Sequence, residues 1–169
     1  METIANTTVL SNFACVGRLD LLQRLLDHLY ISGEVYEEIQ DGLEAGYEFY
    51  EGIDEFIYPF VETGWLRLVS MEEAEFRHFR ELPAQLHAGE ASCLAIAYER
   101  GWALLTDDQR ARKAARKLRV ELSGTLGILV RAVEAGLIAL DEGDILLQKM
   151  IERGYRSPYG SLRLLLENE

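Results

Sequence analysis

Apolar residues along the chain follow two different spacings. Short, nearly continuous apolar runs are separated by longer stretches in which apolar residues recur every three or four positions. The first spacing is typical of buried strands and the second of amphipathic helices. The runs predict strands at 3–5, 29–31, 65–69 and 103–106, and an edge strand at 120–122.

Helical spacing fills the regions between these strands. Gly17 divides the first helical region in two, with Thr7 or Thr8 as the predicted cap, and Gly33 begins the next helix. Strands that alternate with helices need crossover connections, which build a parallel sheet covered on both faces. The predicted fold class is therefore α/β, with a central, mainly parallel sheet of about 4–5 strands flanked by helices. Further helices are predicted over 72–81, 89–100, 109–118, 125–135, 141–153 and 161–166.

The stretch 42–64 is both acidic and rich in aromatic residues. We predict a helical hairpin whose aromatic side chains pack on the core. A surface that stacks nucleobases is the alternative, but the interleaved acids would repel phosphates.

Length and composition narrow the class of protein. The chain has 169 residues, which predicts one domain over 1–169 that ends in helices over 141–169. No apolar run reaches the roughly 20 residues that cross a bilayer, and no signal-peptide pattern opens the chain. Two cysteines, Cys15 and Cys93, lie within apolar helical patterns, so we expect reduced thiols and a cytoplasmic protein. Neither has the neighbours that a zinc site requires.

The net charge of −12 argues against a broad nucleic-acid footprint. The net charge does not exclude a local nucleic-acid contact, because basic residues cluster over 110–119 and 149–163. Arg110, Arg112 and Lys113 directly follow two adjacent aspartates and are candidates for contact with a substrate phosphate. A solvated helix face is the simpler interpretation, and Arg112 is also spaced to pair with Asp108.

Carboxylates recur where predicted strands end or helices begin. Glu90 opens an apolar helix, and Asp107 and Asp108 follow the strand at 103–106. Hard divalent ions prefer oxygen ligands that converge from separate elements. Taken singly, a glutamate at a helix start compensates the helix dipole and an aspartate there is an N-cap. Their joint placement predicts a magnesium or manganese site at the carboxyl edge of the sheet.

Five short motifs make the chain resemble the PIN-domain family, the metal-dependent ribonuclease fold that includes VapC-like toxins. The similarity covers almost the whole chain and is greatest to an uncharacterised prokaryotic branch described as predicted nucleic-acid-binding. The five motifs are NTTVL at 6–10, VYEEI at 35–39, GEA at 89–91, TDD at 106–108 and GTLG at 124–127. The last two of these are the most specific.

The resemblance implies a set of roles. Glu38, Glu90, Asp108 and Asp107 would be catalytic, and the same four residues with Asn6 would hold Mg²⁺ or Mn²⁺. Glu38 fits the family pattern better than Glu37, and Asp108 matches the spacing after Thr106 better than Asp107. Thr7 and Thr106 would orient ligands or bind water. The implied partners are an RNA substrate, an antitoxin protein and, through an apolar stripe at 145–150, a second copy of the chain.

Asn6 departs from the family pattern, which has aspartate before the threonine pair. An amide oxygen can ligate a metal but carries no negative charge, so affinity for a hydrated ion should fall. The protein is then a member that only binds, an active enzyme with weak metal binding, or a nuclease silenced by an engineered Asn6. The main alternative function is a non-catalytic module that binds RNA or protein, and a further one is a different magnesium-dependent hydrolase.

Overall fold

The computed structural model describes residues 1–167 and places six parallel strands in one sheet. The strand order is β3-β4-β2-β1-β5-β6. This confirms the predicted α/β class. The sheet exceeds the predicted size because an unpredicted two-residue strand, β3, extends one edge, while β6 at the other edge corresponds to the predicted edge strand. The strands are β1 Thr3–Ala5, β2 Leu29–Ser32, β3 Ile57–Tyr58, β4 Leu66–Val69, β5 Ala103–Leu105 and β6 Leu122–Ser123.

Helices connect the strands and cover the sheet. They are α1 Thr7–Cys15, α2 Leu19–Leu26, α3 Gly33–Glu44, α4 Glu73–Glu81, α5 Ala88–Arg100, α6 Gln109–Leu118, α7 Thr125–Glu134, α8 Leu140–Glu152 and α9 Leu162–Glu167. The last two residues of the predicted C-terminal segment lie outside the described residues. Within residues 1–167, no helix is both long and apolar enough to cross a membrane.

The predicted helical hairpin over 42–64 is wrong. After α3 the chain makes two short 3₁₀ turns, at Glu48–Tyr50 and Ile53–Phe56, and then forms β3. Gly46 and Gly52 have φ angles of 94° and 79°, which interrupt helical continuation. The prediction that the aromatic residues of this stretch pack on the core is also wrong for most of them. Tyr50 is buried, whereas the exposed ones are Tyr47, Phe56, Tyr58 and Phe60.

The late helices also differ from expectation. Within 145–150, Leu146, Leu147 and Met150 pack into the protein's own core, and Ile145 is 55% exposed. The predicted apolar stripe therefore supplies one exposed residue for contact with a second copy.

The central strands direct their carboxyl ends toward the candidate residues. β1 and β5 pair in parallel, with Ala5 opposite Leu105, so Asn6 and Thr106 follow at the same edge of the sheet. Asn6 caps α1, and its side chain accepts the Thr8 N–H at 3.2 Å. The predicted cap at Thr7 or Thr8 is wrong by one or two positions, because Asn6 still has extended backbone and α1 begins directly after it.

Candidate active site

Glu38 connects α3 to the first turn of α5. Its Oε1 atom accepts the Gly89 N–H at 2.9 Å, and its Oε2 atom accepts a hydrogen bond from the Thr7 hydroxyl. A Cβ atom on Gly89 would lie 2.5 Å from Oε1, so this close approach requires glycine. Glu37 points to solvent. The structure therefore places Glu38, not its neighbour, at the carboxyl edge of the sheet.

Glu90 lies in the same first turn of α5 and is only 8% exposed. Its Oε2 atom accepts the N–H of the cap residue His87 at 3.0 Å. Burial raises the pKa of Glu90, and the charges of Asp108 and Glu38 raise it further, against the lowering effect of the His87 N–H and ring. The charges of Asp108 and Glu38 are thus close enough to Glu90 to disfavour its ionised form.

The two adjacent aspartates have different surroundings. Asp108 caps α6 through the Ala111 N–H at 2.8 Å, and its own N–H donates to the Thr106 hydroxyl oxygen at 3.2 Å. Asp107 instead accepts the Thr125 N–H at 2.9 Å, the Thr125 hydroxyl at 2.5 Å and the Asn12 side-chain N–H at 3.0 Å. Asp107 is therefore bound into the junction of α1 and α7, whereas Asp108 influences Glu90.

Asn6 is 1% exposed and organises the ends of β1 and β5. Its Oδ1 atom accepts both the Thr8 N–H and the Thr8 hydroxyl, the latter at 2.7 Å. Its Nδ2 atom donates to the Thr106 hydroxyl oxygen at 2.7 Å. Thr106 in turn accepts the Asp108 N–H, and Thr8 accepts the Asp107 N–H at 3.0 Å. The amide therefore fixes both aspartates indirectly.

The donor chemistry of three residues fits a hydrated divalent ion. Within residues 1–167, no group of three or more His, Cys, Asp or Glu side chains is drawn together tightly enough to hold a metal. Glu38, Glu90 and Asp108 nevertheless supply hard carboxylate oxygens, and a cation would offset the effect of Glu38 and Asp108 on Glu90. Among the described residues, no donor binds Oε1 of Glu90 or Oδ2 of Asp108. The oxygens of Asn6 and Asp107 are already engaged.

The predicted substrate-binding cations divide into two groups. Arg110 and Lys113 are exposed on α6. Arg112 instead donates to the Thr106 carbonyl oxygen at 2.9 Å, and across the described chain it forms no ion pair with Asp108. Its guanidinium supports the end of β5, so the interpretation as an Asp108 partner is wrong.

A cleft of about 590 Å³ adjoins Asp108. Sequence reasoning missed most of its lining, because α1 and the segment after α8 are far apart along the chain. The only sequence signal was the basic cluster over 149–163. Residues that line the cleft include Ser11, Asn12, Asp108, Arg110, Arg153 and Arg156.

Comparison with known proteins identifies the family of the chain. The family model of the PIN domain matches residues 2–168. Among solved structures, the chain is similar to a chain of VapBC2 from Rickettsia felis bound to a DNA fragment from its promoter. That similarity has a TM-score of 0.51 and 15% identity, and it covers 73% of this chain and 98% of the other. No curated protein matches the sequence. The family match spans nearly the whole chain, and the chain therefore belongs to the PIN-domain family.

Proposed function

We propose that this protein is a PIN-type endoribonuclease with Mg²⁺ or Mn²⁺ as its cofactor. Its activity is weakened because Asn6 replaces an acidic ligand. The observation that carries the proposal is the convergence of Glu38, Glu90 and Asp108 at one sheet edge. Burial and two neighbouring carboxylates raise the pKa of Glu90. Such a cluster costs stability unless a cation occupies it, which is typical of functional sites.

Glu38, Glu90 and Asp108 would hold the ion. When bound, a divalent ion supplies charge stabilisation for the scissile phosphodiester and a lowered pKa for the attacking water. The protein's own residues fix the ligands. Gly89 and Thr7 hold Glu38, and the cap of α6 orients Asp108. The Thr106 hydroxyl oxygen accepts the backbone N–H of Asp108 and so helps to position that residue.

Asn6 limits the activity through its missing charge. The Thr106 hydroxyl oxygen already accepts two N–H groups, from Asn6 and Asp108. Within residues 1–167, that hydroxyl donates no hydrogen bond of its own. An aspartate at position 6 would accept the hydroxyl proton and keep the Thr8 cap. The free donor of Thr106 therefore supports the proposal that a carboxylate fits at this position.

Manganese-dependent RNA cleavage by the parent and by Asn6→Asp tests the proposal. We expect little cleavage by the parent and clear cleavage by Asn6→Asp, because the fourth acid strengthens ion binding. The double variant Asn6→Asp/Glu90→Gln is the control for a contaminating nuclease and should be inactive. Robust cleavage by the parent would contradict the weakening.

A non-catalytic, RNA- or protein-binding module is the second candidate, and the neutral Asn6 favours it. In that case Asn6→Asp would remain inactive. We also propose that an antitoxin protein places a basic side chain against Glu38, Glu90 and Asp108. The VapBC2 similarity and the net charge of −12 support such a partner.

A further inference from the structure

We propose that the cleft beside Asp108 binds the backbone of a polynucleotide through Arg110, Arg153 and Arg156. Arg110 extends from α6, and the other two belong to the segment between α8 and α9. This inference rests on the proposed nuclease function, because it supplies the strand that the acids would cut. It assigns a binding role to a C-terminal segment that none of the PIN motifs includes.

The three arginines are exposed and unneutralised. Within residues 1–167, the arginines that form ion pairs are Arg18, Arg24, Arg77, Arg100 and Arg163. Arg110 donates a long hydrogen bond of 3.5 Å to the Gln85 carbonyl oxygen. Within the described chain, Arg153 and Arg156 therefore keep their guanidinium donors for a ligand, and Arg110 keeps most of its own.

The rest of the lining suits a strand of phosphodiesters. Thr8, Ser11 and Asn12 supply neutral polar groups from α1. Of the two acids in the lining, Asp107 is bound by Thr125 and Asn12, and Asp108 is a proposed ion ligand. A guanidinium binds phosphate oxygens in a bidentate manner. A strand on the arginines would thus pass Asp108 and bring a phosphodiester to the acids.

Fluorescence anisotropy with a labelled, mixed-sequence, single-stranded RNA 12-mer tests the inference on the full chain. EDTA in the buffer prevents cleavage and separates binding from catalysis. We expect Arg153→Glu/Arg156→Glu to weaken RNA binding by about tenfold or more at low salt, because two phosphate contacts become repulsions. Arg153→Ala/Arg156→Ala should reduce the salt dependence, the slope of log affinity against log salt, by about 1.4.

Arg116→Glu/Arg131→Glu is the matched control. It makes the same charge change at two exposed arginines without ion pairs outside the cleft, and it should alter affinity by less than about threefold. An equal loss in both double variants would overturn the inference, since general charge would then explain binding. Equally effective competition by poly-glutamate would also overturn it, because the cleft would then favour acidic polypeptide. Circular dichroism confirms that each variant folds.

This experiment and the cleavage assay fail independently. Binding that depends on the cleft without cleavage by Asn6→Asp would contradict the nuclease proposal alone. Cleavage by Asn6→Asp that survives Arg153→Glu/Arg156→Glu unchanged would contradict the cleft alone.

Discussion

Glu75 and Glu90 occupy the same position in two helices and have opposite surroundings. Each is the third residue of its helix, and each accepts the backbone N–H of its cap residue, Glu72 or His87. Both are buried, at 3% and 8% exposure. The two glutamates therefore have the same local structure: the same helix position, the same capping hydrogen bond and similar burial.

The two glutamates differ in the charged residues that surround them in the folded protein. Arg100 donates to both oxygens of Glu75. Burial alone would raise the pKa of Glu75, but the Arg100 hydrogen bonds, the Glu72 N–H and the Arg100 charge together lower it. Glu90 has Asp108 and Glu38 nearby instead, and its pKa rises. The nearest charge to Glu75 is therefore a cation of the same chain, whereas the charges that raise the pKa of Glu90 are those of two other acids.

Removal of the cation from the paired acid should have the largest effect on stability. Arg100→Leu leaves Glu75 buried without a partner, and we expect a loss of about 3 kcal/mol in the free energy of unfolding. Urea denaturation measures it. Arg77→Leu breaks the exposed pair with Glu73 and should cost under about 0.5 kcal/mol. Equal losses would show that the Glu75 pair is an ordinary surface contact.

The pH dependence of stability should have opposite signs at the two acids. Glu75 has a lowered pKa, so its contribution is present above its unfolded value of 4.5 and is lost as pH falls through the folded pKa. The difference between the parent and Arg100→Leu should shrink below about pH 4.5.

Glu90 has a raised pKa, so its contribution is present below 4.5 and is lost as pH rises through the folded pKa. Glu90→Gln should therefore gain stability relative to the parent between acid and neutral pH in metal-free buffer. Thermal unfolding over this pH range measures both differences. A gain that is independent of pH would contradict the assigned repulsion.

A small stability change is expected at Gly89, where the missing side chain lets the Glu38 carboxylate approach α5. Gly89→Ala forces the Glu38 carboxylate away, since the new Cβ would lie 2.5 Å from Oε1. The displaced group is a flexible side-chain end, so stability should stay within about 1 kcal/mol. In the Asn6→Asp background, Mn²⁺ affinity should fall by about threefold or more. Gly33→Ala, where open space surrounds the new Cβ, is the control. Unchanged Mn²⁺ affinity would remove Glu38 from the proposed ligands.

Hydrophobic periodicity predicted most of the fold, because most strands and helices bury one consistent face. It failed over 42–64, where glycines with positive φ and a sheet edge determine the path. The positions of the candidate acids followed from strand ends and the family motifs. Their different environments did not, because a capping glutamate such as Glu75 has the same local pattern as Glu90. Arg110 was predicted as a phosphate contact, but the roles of Arg153 and Arg156 were not, since only folding brings α1, α6 and the segment after α8 together.

Manganese titration calorimetry on three variants tests the central claim most directly. We expect Asn6→Asp to bind Mn²⁺ and Asn6→Asp/Glu90→Gln to bind it about tenfold more weakly or not at all. Asn6→Asp/Glu37→Gln, which removes the exposed acid beside Glu38, should bind like Asn6→Asp. Equal affinity with and without the Glu90 carboxylate, or no binding by Asn6→Asp, would contradict the account.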